Sequence, residues 1–188
     1  MGISYAADEL SELLGSCGTN VSIHRSVEMF FPKRIHVGSN VRIDCFCLLS
    51  AGLEGIYLGD HVHVAAGFYL FGGGGVIRME SFSGISARVS IYTSNDDYTE
   101  GYLTGPTVPM KYRKVREGPV TLSRHAIVGA GSVLMPGVRL GLASSVGALS
   151  FVSRDVPDFA IVVGKPARLI GHRPQRILER EAELMAES

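Results

Sequence analysis

Tryptophan is absent from this chain of 188 residues, and no apolar run approaches the roughly 18–20 residues that a transmembrane helix requires. Neither sign of charge is in excess, because 18 lysines and arginines balance 18 aspartates and glutamates. That balance argues against a nucleic-acid-binding surface, which needs an excess of basic side chains. We therefore expect a protein with no membrane span and no nucleic-acid partner.

Cysteine is scarce as well. Cys17, Cys45 and Cys47 make an odd number and do not have the spacing of metal ligands. The first ten residues lack the basic and apolar regions of a secretory signal. Both observations favour a reduced, cytoplasmic compartment. The hydrophobic fraction of 46% excludes a mainly disordered chain, and the length suits one domain with a sizeable core.

What the sequence does contain is a repeat of six residues. A branched aliphatic residue recurs at every sixth position from residue 122, and a small or β-branched residue follows each one four places later. A period of six matches neither an α-helix nor a simple strand. It is typical of a hexapeptide β-helix, in which three short strands form each coil and the aliphatic side chain points inward. The predicted inward residues are Leu122, Val128, Leu134, Leu140, Val146 and Val152.

The repeat is interrupted at several places. Glycine-rich breaks at residues 52–55 and 72–75 are predicted to be bulges or turns, since no Lys-Ser/Thr pair or helix follows them as in a phosphate-binding loop. Residues 94–118 are polar, contain two prolines and lose the period entirely. A long insertion in a compact repeat domain is usually functional, so we predict an extruded, unstructured loop with a role in the site.

The two ends of the chain have different patterns. Residues 1–20 predict an N-terminal helical cap, and residues 173–188 predict a C-terminal helix. Residues 21–172 form the predicted β-helix domain between them. The predicted fold class is therefore all-β, a parallel β-helix prism with an extruded loop and short terminal helices.

The hexads of residues 120–156 and the segment Gly164-Lys165-Pro166-Ala167-Arg168 resemble the hexapeptide-repeat acyltransferases, in the maltose and galactoside acetyltransferase branch. The segments Arg42-Ile43-Asp44, Ser94-Asn95-Asp96-Asp97-Tyr98 and Thr107-Val108-Pro109 are similar to acyltransferases of bacterial surface-polysaccharide (O-antigen) pathways, such as the dTDP-4-amino-4,6-dideoxyglucose acyltransferases. The resemblance covers roughly residues 20–172. It implies a left-handed β-helix, a homotrimer and acetyl-CoA bound between neighbouring prisms.

The resemblance also implies positions for the substrates. Asp44 matches the position that holds the acceptor sugar. Small residues line the pantetheine arm, and polar or basic residues lie near the 3′-phosphate of coenzyme A. The implied coenzyme A positions are Ala130 and Ala148 for the arm, and Ser153, Arg154, Lys165 and Arg168 for the phosphate.

One departure from the family concerns the proton acceptor. The resembling enzymes use a histidine on the extruded loop, where this sequence has Asp96. A sugar hydroxyl depends strongly on a base, whereas an amine binds closer to its neutral form, so the missing histidine favours an amino-sugar acceptor. Asp96, held by Asn95, is our first candidate, and the alternative is that both residues cap a turn. His125, which we expect to face outward at a corner, is the second candidate, with a plain surface turn as its alternative.

The predicted function is therefore an acetyl-CoA-dependent acetyltransferase that acts on the amino group of a nucleotide-linked sugar. One alternative is an O-acetyltransferase on a sugar hydroxyl, and another is a non-catalytic β-helix scaffold. His61 and His63 also raise the possibility of a γ-carbonic-anhydrase-like metal protein. The remaining histidine spacing of that class is missing, so no metal is expected.

Overall fold

A computed structural model describes residues 3–187, which form two helices and 22 strands. The helices are α1 (Ala7–Leu13) and α2 (Arg176–Ala186). The first twelve strands are β1 (Ser16–Cys17), β2 (Ser22–Ile23), β3 (Glu28–Phe30), β4 (Ile35–Val37), β5 (Arg42–Ile43), β6 (Leu48–Ser50), β7 (Ile56–Leu58), β8 (His63–Val64), β9 (Tyr69–Phe71), β10 (Ile77–Met79), β11 (Gly84–Ile85) and β12 (Ser90–Tyr92). The remaining strands are β13 (Ser94–Asp96), β14 (Val115–Glu117), β15 (Val120–Leu122), β16 (Ile127–Val128), β17 (Val133–Leu134), β18 (Arg139–Leu140), β19 (Ser145–Val146), β20 (Phe151–Val152), β21 (Ala160–Val163) and β22 (Arg168–His172).

Successive strands belong to different sheets, and each coil contributes one strand to each of three parallel sheets. Sheet I has the order β1-β4-β7-β10-β15-β18, sheet II has β2-β5-β8-β11-β16-β19-β21-β22, and sheet III has β20-β17-β12-β9-β6-β3. The pairing is parallel throughout, except that β21 and β22 form an antiparallel hairpin at the end of sheet II. The predicted parallel β-helix is therefore confirmed.

The six-residue period arises because each hexad places its aliphatic side chain inside the prism on a different sheet. Leu122 lies on sheet I, Val128 on sheet II and Leu134 on sheet III, and all three are buried. The residue four places later also points inward, so Ala126 and Ser132 are buried as well. Buried apolar area is the main favourable contribution to folding, and here it forms one continuous column along the prism axis.

Corners between sheets I and II require a left-handed backbone conformation. Seven residues that are not glycine have φ between +51° and +62° at this corner: Asn20, Asn40, His61, Phe82, His125, Ala143 and Phe159. Because each coil repeats the one below it, their side chains stack. The rings of His61 and Phe82 lie 4.6 Å apart and those of Phe82 and His125 lie 5.2 Å apart, between ring centroids. We call this stack the corner column.

The insertion at residues 94–118 differs from the predicted unstructured loop. Strands β13 and β14 pair antiparallel and form a two-stranded ribbon, and Met110–Tyr112 forms a turn of 3₁₀ helix. The hydrogen bonds of a hairpin satisfy backbone groups that would otherwise need water. We refer to residues 94–118 as the ribbon.

Helix α1 covers the first coils and buries Leu10, while α2 packs near the last coils. Neither of these helices is long and apolar enough to cross a membrane.

A matched pair of leucines tests the core. Leu70 is fully buried in sheet III, whereas Leu53 in a turn is 86% exposed. We expect Leu70→Ala to reduce the free energy of unfolding by about 2–5 kcal/mol through lost burial and a cavity. Leu53→Ala should change it by less than about 0.5 kcal/mol. Chemical denaturation measures both, and equal losses would contradict the inward assignment of Leu70.

Candidate active site

The outward face of sheet II carries a groove with a floor of small residues. A cavity of about 420 Å³ on this face is lined by His63, Ala65, Gly84, Ser86, Gly129, Gly147 and Ala148, among others. The coils are in direct contact at Gly129, where a Cβ atom would lie 2.4 Å from the backbone nitrogen of Ala148. Because side chains are small or absent there, a slender extended molecule can lie close to the backbone.

Asp44 lies beside this groove and contacts the guanidinium of Arg42 and the imidazole of His63. It occupies the position after the inward Ile43 that Ser86 occupies after the inward Ile85, two coils further along. Oδ1 of Asp44 accepts a hydrogen bond from Nε of Arg42 at 2.7 Å, and Oδ2 lies 3.0 Å from Nε2 of His63. Partial burial tends to raise the pKa of Asp44, but the bonds from His63 and Arg42 outweigh it and lower this pKa below its ordinary value.

The two histidines considered as metal ligands point to different neighbours. His61 stacks on Phe82 in the corner column, whereas His63 contacts Asp44. Within residues 3–187, no three His, Cys, Asp or Glu side chains converge in a way that would hold a metal ion.

Asp96 lies in the ribbon and is held by hydrogen bonds. Its carboxylate accepts bonds from the Gly105 amide at 2.8 Å and from Nη2 and Nε of Arg113 at 2.7 and 3.1 Å. The bonds from Gly105 and Arg113 hold the pKa of Asp96 below its ordinary value. The side-chain amide of Asn95 donates to the backbone carbonyl of Asp96 at 3.1 Å and not to the carboxylate.

The ribbon folds onto its own prism. A cavity of about 200 Å³ separates Asn95, Asp97 and Arg116 of the ribbon from Phe151 and Ser153 of the last coils. None of the residues that line the sheet II groove comes from the described ribbon.

His125 lies at the predicted corner, but its side chain is buried and not exposed there. Its side chain is 7% exposed, because α2 covers this corner. Nε2 of His125 lies 2.9 Å from Oε2 of Glu181, and Nη1 of Arg173 donates to the carbonyl of His125 at 2.9 Å. These contacts attach the C-terminal segment to the corner column, which is a structural role.

Most residues predicted to bind the coenzyme A phosphate lie together. Ser153, Arg154 and Arg168 line a cavity of about 180 Å³, and Lys165 is exposed nearby in sequence but does not line it. A phosphate group suits a cavity with two guanidinium groups.

The residues predicted to line the pantetheine arm lie on or near sheet II. Ala148 lines the sheet II groove. Ala130 is exposed at the next corner, where its carbonyl accepts a hydrogen bond from the Leu149 amide.

Comparison with known proteins identifies close relatives. No protein-family model matches the sequence. The chain is 40% identical over 167 residues to the dTDP-4-amino-4,6-dideoxy-D-glucose acyltransferase of Escherichia coli, covering 89% of this chain and 86% of that protein. It superposes on AntD, an N-acyltransferase from Bacillus cereus, in complex with dTDP and 3-hydroxybutyryl-CoA, with a TM-score of 0.95 and 38% identity, over 100% of this chain and 98% of AntD.

A second AntD structure, of a variant with one serine replaced by cysteine, contains dTDP-4-amino-4,6-dideoxyglucose and coenzyme A. Its TM-score is 0.95 at 38% identity, and each chain is covered completely.

The sequence analysis did not single out Ser86, and it considered His63 only as a metal ligand. The sequence does hold one clue to Ser86, which is its position: it follows an inward isoleucine, as Asp44 does.

A pair of glutamates on α2 tests the contact at His125. Glu181 pairs with His125 and Arg124, whereas Glu183 is exposed and pairs with Arg180. We expect Glu181→Ala to lower the free energy of unfolding by about 2 kcal/mol, because a buried hydrogen bond to a charged group is lost. Glu183→Ala should have little effect. Thermal denaturation and limited proteolysis of α2 measure this, and indistinguishable variants would refute the attachment.

Proposed function

Because the chain belongs to the family of dTDP-4-amino-4,6-dideoxyglucose acyltransferases, we propose that it transfers an acyl group from coenzyme A to the 4-amino group of that nucleotide sugar. The main support for this proposal is the 40% sequence identity to the E. coli enzyme over 89% of this chain. We propose acetyl as the acyl group. We propose that the protein works in the cytoplasm, because its three cysteines are free thiols, which a reducing compartment favours.

Two positions of AntD support a shared site. Solved AntD complexes include variants with one serine or one aspartate replaced, and these two positions are ten residues apart. Ser86 and Asp96 have the same separation in this chain, which superposes on AntD over its full length. We propose that Ser86 contacts the reacting groups in the groove and that Asp96 attracts the positively charged amine of the acceptor. Its lowered pKa keeps the Asp96 carboxylate ionised for this purpose.

The small floor of the sheet II groove supports a path for the pantetheine arm past Ala130 and Ala148. We propose that Ser153, Arg154 and Arg168 bind the 3′-phosphate, with Lys165 beside them. Asp44, at the other end of the face, belongs to the acceptor side of the groove.

We propose that the active protein is a homotrimer. Sheet III presents aromatic side chains outward: Phe30 is 49%, Tyr69 43% and Phe151 37% exposed. An exposed apolar face of this kind favours burial against another copy. In such an assembly a neighbouring ribbon can close the groove of each prism. Light scattering should give three times the chain mass of 20.2 kDa, and a monomer at micromolar concentration would refute the assembly.

The proposed reaction is tested by thiol release from acetyl-CoA with a panel of acceptors. We expect release with dTDP-4-amino-4,6-dideoxyglucose and little with the matching sugar that carries a hydroxyl in place of the amine. A preference for the hydroxyl sugar would favour O-acetylation instead. Failure to bind coenzyme A at all would favour the non-catalytic scaffold.

The phosphate site makes a separate prediction. We expect Arg154→Ala and Arg168→Ala to raise the KM for acetyl-CoA more than they change kcat, because phosphate binding contributes equally to the ground and transition states. The advantage of acetyl-CoA over its dephospho analogue should shrink in both variants. Arg139→Ala, an exposed arginine on sheet I, serves as the control. Undiminished discrimination in Arg154→Ala and Arg168→Ala would remove these residues from the site.

A further inference from the structure

The sheet II groove contains a single titratable side chain among the described residues that line it, the imidazole of His63. His63 pairs with Gly84 across β8 and β11, and Ser86 lies two residues after Gly84, just beyond the end of β11. Strand spacing and rise place the Cα atoms of His63 and Ser86 about 8 Å apart.

The contact with Asp44 determines which nitrogen of His63 is basic. A carboxylate only accepts hydrogen bonds, so Nε2 of His63 must carry the proton in the 3.0 Å contact with Oδ2 of Asp44. In the neutral ring, Nδ1 then keeps its lone pair. The His63 side chain is 54% exposed and Asp44 22%, so the imidazole is accessible while its carboxylate partner is mostly covered.

Asp44 is itself held in place from its other side. Nε of Arg42 donates to Oδ1 at 2.7 Å, which leaves Oδ2 directed at His63. An imidazole oriented by a fixed carboxylate is an arrangement that histidine general bases use, as in the Ser-His-Asp triad. The carboxylate also stabilises the imidazolium that forms when the ring takes a proton.

We propose that His63, positioned by Asp44, is the proton acceptor for the amine of the acceptor sugar. This inference rests on the proposed function and deepens it. The neutral amine attacks the thioester carbonyl, the C–N bond forms and the C–S bond breaks. Nδ1 of His63 takes the proton that the nitrogen loses, and the departing coenzyme A thiolate takes it back as the thiol. Asp96, whose carboxylate is already bonded to Gly105 and Arg113, then binds charge and does not carry the proton.

The charged and titratable groups that face His63 come from one side. The preceding coil contributes Arg42 and Asp44, and the following coil contributes Gly84 and Ser86, neither of which titrates. A change in the pH dependence of kcat at its acidic end therefore tests whether His63 accepts the proton.

The test compares steady-state kinetics of His63→Ala and Asp44→Asn with two controls, using acetyl-CoA and dTDP-4-amino-4,6-dideoxyglucose. We expect His63→Ala to lower kcat about 10²-fold with the KM for acetyl-CoA unchanged, to lose the acidic limb of the pH profile, and to be partly rescued by added imidazole. Asp44→Asn should lower kcat about 10-fold without imidazole rescue, because its own imidazole is still present.

The controls separate chemistry from packing. His172→Ala removes an exposed histidine on β22 and should leave kcat unchanged. Arg42→Gln removes the other partner of Asp44 and should cost less than Asp44→Asn; equal losses would mean that the cluster is only structural. A His63→Ala enzyme with wild-type kcat, or one that loses activity with an unchanged pH profile and no rescue, overturns the inference. Absence of turnover by the wild type would overturn the proposed function as well, so the two failures are distinguishable.

Discussion

The stacking of each coil directly on the coil below it is the constraint on which the rest of this structure depends. Strand spacing between parallel neighbours is short, so a residue at one position meets the residue at the equivalent position of the next coil. Inward positions must therefore be aliphatic throughout, and positions where backbones touch must be small. Gly129 shows the limit, since a single added Cβ would collide with the backbone at Ala148.

Stacking also brings residues that are far apart in sequence into columns, because equivalent positions of successive coils lie next to each other. On sheet II the column that contains Asp44 continues through Ala65, Ser86, Gly129 and Gly147, so one face carries polar groups near its first coils and an open floor near its last. At the neighbouring corner the same rule stacks rings. That stack ends at His125, and the buried contact with Glu181 uses it to attach α2.

The carboxylates of Asp96 and Asp44 have different hydrogen-bond partners, and these partners determine what each carboxylate can do. Asp96 accepts hydrogen bonds from a backbone amide and a guanidinium in the ribbon, which makes it a stable negative charge and a weak base. Asp44 shares its bonds between Arg42 and the imidazole of His63, so its charge lies beside the group that we propose as the proton acceptor. The chemistry of proton transfer and the electrostatic binding of an amine are thereby assigned to different parts of the fold.

The sequence alone determined the β-helix, the inward residues from Leu122 to Val152 and the position of the insertion, because the period of six is a local signal that packing only reinforces. The family resemblance added the substrate class and grouped Ser153, Arg154 and Arg168, which the structure brings to one cavity. Tertiary structure decided three further points. His125 is buried because α2, 56 residues later in the chain at Glu181, folds back over it. The ribbon is ordered because β13 and β14 pair across about twenty intervening residues and Asp96 finds Arg113. His63 meets Asp44 because one coil lies on the next, a contact between residues 19 apart that no local pattern reveals.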